Sequence, residues 1–351
     1  MKGANFPKGR DVVRVHFRHK NVVGNILTTQ TITLITMDRI IKLSELEKAV
    51  DEVYEQFRNL DEGAVDPALT GVDTKKFGIA LTLTDGTTIV RGDADEKAVL
   101  GAIGKIPTSI LLMSQMKDAN QLIEKAGMCK CKCKCDKSQD KPKQKLAVSK
   151  RGIRAVSAIE PSGDSDGKWD LMINNMINLM GSAPELDDRY YEARKKANLE
   201  EGVENALAAQ EFTLYDDAPI AIDLYTRLTA MKASARQLAT MAATIAADGY
   251  NPVTGQNVFD GTLSSKAVAL MAAHGPHKMN TAWLFKAGLP AKRSFGGTIC
   301  GVLPGVFGIA AYSPLLNEAG ISIRAAKAIA TLMSEKLGVS VFDSAKLKIE
   351  K

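Results

Sequence analysis

Between Ser44 and Leu60, apolar side chains recur at Leu46, Val50, Val53, Tyr54 and Phe57, the spacing of one helix face, and Ser44 with Glu47 three residues later forms a capping box. The period then changes from helical to alternating. Ile79 to Val90 reads as a hairpin about Thr84-Asp85-Gly86-Thr87, with Asp-Gly as its turn dipeptide. A second apolar hairpin runs from Thr298 to Val302 and from Val306 to Tyr312, around Pro304-Gly305. Helical patterns fill the interval: a run through Leu111, Leu112 and Met113, then Trp169 to Met180, Tyr190 to Gln210, the segment holding Ile222 to Leu228, the Ala- and Met-rich stretch Ala235 to Ala247, and Ser264 to Ala273. An amphipathic helix, Ile321 to Leu337, closes this order of elements, which defines a mixed α/β chain.

Residues 1–43 stand apart. Val12 to Arg18 alternates after its first pair and Thr31 to Ile35 is β-branched and apolar, so two or three strands are expected between residues 10 and 43. Such an extension either caps the main domain or offers a partner a docking edge. His16 and His19, three apart near a strand end, read as surface residues rather than ligands.

Composition sharpens this division. The 351 residues, 45% of them hydrophobic, are enough to bury a large core as one domain or two. The net charge of +6 is unevenly placed: Lys117 to Arg154 holds twelve Lys or Arg against four Asp or Glu, which leaves the remainder at about −2. The basicity belongs to one segment, so a nucleic-acid-binding face is not expected. No run approaches the length of a membrane span, and the N-terminal Met1-Lys2-Gly3-Ala4-Asn5-Phe6-Pro7 lacks the apolar core of a signal peptide. A reducing cytoplasm suits cysteines placed as these are, four crowded together and Cys300 alone in an apolar strand.

Those four cysteines alternate with lysines in Met128-Cys129-Lys130-Cys131-Lys132-Cys133-Lys134-Cys135-Asp136, inside a Lys-, Gln- and Pro-bearing stretch that cannot bury apolar area. Residues 117–150 therefore read as an inserted, exposed loop. If it is extended, the four sulfurs fall on one side, each beside an ammonium that favours the thiolate, which suits a soft metal such as Zn or Cu(I) or thiol chemistry. The spacing is Cys-x-Cys and not the Cys-x-x-Cys of ordinary zinc sites, so an inert loop or an attachment surface for a partner remains an alternative.

The candidate chemistry sits at Gly101-Ala102-Ile103-Gly104-Lys105-Ile106, where a hairpin hands over to an apolar helix. A serine hydrolase with its nucleophile at the start of a helix places Ser-x-x-Lys at such a point, one turn apart on one face, so that the amine takes the hydroxyl proton. Here the lysine is Lys105 and the first position is Ala102. Ser109, one turn further on, lies deeper along the helix than a cleft mouth, and neither it nor Ser294 is a persuasive substitute.

The flanking sequence resembles the serine-dependent glutaminase family. The matching pieces are Phe77-Gly78-Ile79, Gly92-Asp93-Ala94-Asp95, Glu160-Pro161-Ser162-Gly163-Asp164, Met241-Ala242-Ala243-Thr244, Asn251-Pro252-Val253-Thr254-Gly255, Gly288-Leu289-Pro290-Ala291-Lys292 and Ser313-Pro314-Leu315, in family order over 44–116 and 151–351. The resemblance implies the β-lactamase-like fold: an antiparallel sheet built from both hairpins, flanked by the Ser44 and Ile321 helices, beside a helical subdomain. It also implies a homo-oligomer and no cofactor for this domain.

Carried over by position, the resemblance places the nucleophile at Ala102 and keeps Lys105, Tyr225 and the substrate-contacting asparagines Asn174 and Asn205. Two active-site tyrosines become Val65 and His277, a substrate-holding glutamate becomes Asn198, and a Lys-Ser-Gly strand becomes Lys292-Arg293-Ser294, with Arg293 and Phe295 crowding the cleft. These departures lead to the expectation of a catalytically degenerate family member acting as a binding or assembly component, with a protein partner met through the N-terminal extension or the basic insertion. The alternatives are an active glutaminase converting L-glutamine to glutamate and ammonia, and a protein handling metal or thiols through Cys129, Cys131, Cys133 and Cys135.

Overall fold

Five antiparallel strands, in the order Ala291–Arg293, Thr298–Leu303, Phe307–Tyr312, Gly78–Leu83 and Thr88–Gly92, form the central sheet of the computed structural model. The structure describes residues 11–18, 29–36, 38–69, 71–125, 148–210, 212–276 and 280–351. The two hairpins read from the sequence lie side by side because Phe307–Tyr312 pairs with Gly78–Leu83, with Ala310 opposite Ala80 and Ala311 opposite Ile79. Pleating divides the sheet's side chains between two cores. Ala80, Cys300, Val302, Ala310 and Tyr312 join the core shared with the helix Ala235–Ala246. Ile79, Leu81, Ile299, Ile309 and Ala311 join the core formed with the helices Leu43–Phe57 and Ile323–Thr331.

The alanine-rich helix Ala235–Ala246 is buried along nearly its whole length. Its small side chains let it lie directly on the sheet, and a Cβ on Gly308 would stand 2.2 Å from the Ala243 nitrogen and 2.4 Å from the Ala239 oxygen. These are backbone atoms of a packed helix that cannot turn aside. Gly308→Ala is therefore expected to lower stability by at least ~2 kcal/mol through overpacking, measured by chemical denaturation. Unchanged stability would show that the helix is free to ride outward.

Several element ends differ from the sequence reading. The first helix starts at Leu43 because the strand Arg39–Lys42 runs straight into it; Glu45 Oε2, in place of a Ser44–Glu47 box, accepts the Lys42 N–H at 3.1 Å. The helical stretch expected from Tyr190 to Gln210 is two helices, Asp188–Glu200 and Val203–Ala209, broken where Gly202 takes a φ of 60°. At the N-terminus, Asp11–Arg18 pairs with Thr29–Thr36, while Arg39–Lys42 pairs in parallel with the C-terminal strand Leu347–Glu350. Among the described residues no helix is long and apolar enough to cross a membrane.

The remaining helices, including Lys105–Ser114, Lys150–Ser157, Ser165–Met180 and Ala218–Ala230, pack around the first core as a helical layer. The insertion's last described turn brings Ser149 to the N-terminus of Lys150–Ser157, where its Oγ accepts the Gly152 N–H at 3.3 Å. That capping serine sets up the site.

Candidate active site

A cleft of about 740 Å³ opens between the sheet edge and the helical layer. The Gly101–Gly104 turn and the helix that follows supply Ala102 and Lys105; Ser149, Arg151 and Gly152 enter from the next helix; Tyr190, Arg194 and Asn198 come from Asp188–Glu200; Tyr225 and Thr226 come from Ala218–Ala230; and Lys292, Arg293 and Phe295 come from the edge strand and its continuation. Two glycines let the Tyr225 helix approach closely. A Cβ on Gly104 would meet Leu228 Cγ at 2.9 Å, and one on Gly152 would meet the Tyr225 ring at 2.2 Å.

That approach creates the central contact. Lys105 Nζ donates to Ser149 Oγ at 2.8 Å and lies 5.9 Å from the centroid of the Tyr225 ring, and the Tyr225 hydroxyl itself interacts with the Ser149 side chain. Enclosure by protein, followed by the charges of Arg151 and Arg293, lowers the pKa of the half-buried Lys105 to about 8. Burial pushes the Tyr225 phenol well above its ordinary value and Tyr190 up to about 12, so both stay protonated at neutral pH. Across the cleft, burial and the charge of Lys105 bring Lys292 down to about 7, and its ammonium donates to the His274 carbonyl oxygen.

The positions carried over by family resemblance are not all brought together. Ala102 lines the cleft with a methyl group and no hydroxyl. Asn198 lines it too; its Nδ2 donates to Thr226 Oγ1 at 2.9 Å, and its buried Oδ1 has no partner. Asn174 and Asn205 are exposed on their helices and lie outside the cleft wall, because the register of each helix turns them to solvent. At the place expected for Val65, the neighbouring Asp66 faces the cleft, its Oδ1 accepting the Ala68 N–H at 2.9 Å.

Phe295 does line the cleft, and the Arg293 guanidinium stacks on it at 4.5 Å from the ring centroid while Nη1 donates to the Gly320 oxygen at 2.6 Å. Arg293 is thus held against the wall. Ser294 is fully buried, with Oγ donating to the Val99 oxygen and accepting the Gly296 N–H at 2.8 Å, an architectural role. His277 and the four clustered cysteines lie outside the described residues. Among the described residues no group of three or more His, Cys, Asp or Glu is placed to hold a metal.

Sequence reasoning missed Ser149, Asp66, Tyr190, Arg151 and Arg194. Ser149 carried a usable signal, a helix-capping residue just ahead of the amphipathic Ile153 to Ile159 run, but the boundary of the basic insertion had absorbed it.

The family model described as Glutaminase matches residues 64–342. The chain is similar to the glutaminase of Bacteroides thetaiotaomicron, 37% identical over 315 residues that cover 87% of this chain and 97% of that protein. It is similar also to the glutaminase of Parabacteroides distasonis, 34% identical over 322 residues, or 89% and 99% of the two chains. Its structure matches that of the probable glutaminase ybaS with a TM-score of 0.74 at 28% identity, covering 86% of this chain and 100% of the other. The chain belongs to the glutaminase family, with the β-lactamase-like fold of its structural neighbours.

These relatives correct the expectation of a catalytically degenerate binding or assembly component. Proteins that share 34–37% of their residues with this chain over most of its length are named glutaminases, which agrees with the amide-hydrolase alternative instead. The hydroxyls weighed from the sequence, Ser109 and Ser294, are not the one that the fold brings to Lys105, which comes from Ser149 on another segment.

Proposed function

We propose that this protein is an amide hydrolase of the glutaminase type, releasing ammonia from a carboxamide such as that of L-glutamine, with Ser149 as nucleophile and Lys105 as its proton acceptor and donor. The observation that carries this reading is the 2.8 Å contact between Lys105 Nζ and Ser149 Oγ inside the cleft. With a pKa near 8, a fraction of Lys105 is neutral at physiological pH; the hydrogen bond then reverses, and the hydroxyl donates to the amine.

Attack of Oγ on the amide carbon forms a C–O bond as the hydroxyl proton moves to Nζ. The developing oxyanion is favoured by the positive potential of Arg151, Lys292 and Arg293 around the cleft. Collapse breaks the C–N bond, and the leaving nitrogen takes the proton from the Lys105 ammonium and departs as ammonia. Water then attacks the Ser149 ester and gives a proton to Lys105; collapse breaks the ester C–O bond, Lys105 returns that proton to the departing Ser149 oxygen, and the carboxylic acid is released. The protonated Tyr225 phenol beside Ser149 is suited to donate a hydrogen bond and orient the hydroxyl, not to act as a base.

Purified protein is expected to release ammonia from at least one member of a panel of glutamine, asparagine and glutaramate (glutamine without its α-amine). Release no greater than that of Lys105→Ala across the panel would refute the reading.

A further inference from the structure

Five cationic side chains, Lys105, Arg151, Arg194, Lys292 and Arg293, line the cleft, against one carboxylate, Asp66. Among the described residues none of the five has an ion-pair partner, although Arg and Lys elsewhere in the chain pair repeatedly, as in Lys168 with Asp216 and Arg236 with Asp95. Asp66 is partly engaged by the Ala68 N–H, and both it and Arg194 act on Tyr190 at one end of the cleft. At the other end Arg151, Lys292 and Arg293 surround Lys105. There the buried Nε of Arg293 has no hydrogen-bond partner.

Lys292 and Arg293 are buried and Lys105 is half-buried, with Arg151 and Arg194 at the cleft's more open edge, and gathering unpaired cations around an enclosed space costs free energy unless an anion joins them. We infer that the cleft is built for an anionic carboxamide or dicarboxylate without a free ammonium group, in preference to zwitterionic glutamine. The carboxamide, or the second carboxylate of a dicarboxylate, meets the Arg151–Arg293 side beside Lys105, the other carboxylate meets Arg194 at the far end, and the ligand presents no ammonium to a cleft that is already cationic. The inference deepens the amide-hydrolase reading and rests on it for the reaction alone: glutaramate plus water yields glutarate plus ammonia, one C–N bond broken and one C–O bond made. The depressed pKa values of Lys105 and Lys292 support the fit of the dicarboxylate, since a carboxylate in the place of the carboxamide restores their protons, whereas glutaramate is uncharged there and leaves Lys105 free to accept.

Glutarate, glutaramate and glutamine are to be titrated calorimetrically into the whole chain near pH 7.5, in two buffers of different ionisation heat, beside the ammonia assay. Glutarate is expected to bind at least tenfold more tightly than glutamine, with proton uptake, and to compete with glutaramate; kcat/KM for glutaramate is expected to exceed that for glutamine at least tenfold. Arg151→Gln, at an exposed position that leaves the fold intact, and Arg194→Gln are each expected to weaken glutarate binding by about tenfold, as for loss of a charged contact.

Glutarate binding that is absent, indifferent to both substitutions, or free of proton uptake would overturn the inference. Faster turnover of glutamine than of glutaramate would overturn it too and leave the amide-hydrolase reading standing. Glutarate binding weakened by Arg151→Gln, with no ammonia from any amide, would sustain the inference and sink that reading instead.

Discussion

Ser149→Gly is expected to reduce ammonia release by at least ~10³-fold, since removing the nucleophile of an acyl-transfer site typically costs several powers of ten. Glycine is the better replacement because Ser149 also caps the helix Lys150–Ser157 by accepting the Gly152 N–H. Alanine at a cap costs about 1 kcal/mol, whereas glycine costs only a few tenths, so a change in folding does not masquerade as a change in chemistry. The Tm of the glycine variant should therefore stay within a few degrees of the parent.

A companion variant tests the geometry. Ala102→Ser places a hydroxyl one helical turn before Lys105, and in the Ser149→Gly background it is expected to restore part of the lost rate, because either hydroxyl approaches the same amine. Full activity in Ser149→Gly would reject Ser149 as the nucleophile and direct attention to Ser109, which also lines the cleft.

Lys105→Met should have two opposite effects. Turnover should fall by several powers of ten, since the amine moves the proton in every step. Stability should rise, by on the order of 1–2 kcal/mol at neutral pH, because an enclosed ammonium is replaced by an apolar side chain of similar length. The sign follows from proton binding. The unfolded chain holds the Lys105 proton up to an ordinary value of 10.5, while the folded chain gives it up above about 8. Between those values the unfolded state binds more protons, so this lysine's destabilising effect is fully present below about pH 8 and fades as pH rises toward 10.5.

The same titration governs the rate. The kcat/KM of the parent should climb as pH passes through about 8, where Lys105 becomes neutral. A flat profile through that range, or a Lys105→Met variant no more stable than the parent, would separate Lys105 from the role given to it. Lys292 titrates nearby at about 7 and shares the field of Lys105, so the measured midpoint belongs to the pair.

What the sequence determined by itself was local. Asp85-Gly86 and Pro304-Gly305 mark the two hairpins, the three-to-four spacing of Leu46, Val50 and Val53 marks the first helix, and the alanine run marks a helix that packs closely. Each rests on the periodicity of neighbouring residues, which needs no knowledge of what lies across the fold. The positions of Ala102, Lys105 and Tyr225 along the chain were equally legible, as was the loss of a serine from the Lys105 helix.

Only the tertiary structure decided which groups meet. The parallel pairing of Arg39–Lys42 with Leu347–Glu350 joins the two ends of the domain, and no local pattern specifies a partner that far away. Asn174 and Asn205, attractive by position, turn to solvent because helix rotation is set by the burial of Met172, Met176, Ala206 and Leu207. Ser149 lies 44 residues after Lys105, at the end of an insertion with no helical period, yet its hydroxyl reaches the lysine. It does so because Gly104 and Gly152 let the Tyr225 helix close the gap between their segments, a matter of side-chain volume in three dimensions and not of spacing along the chain.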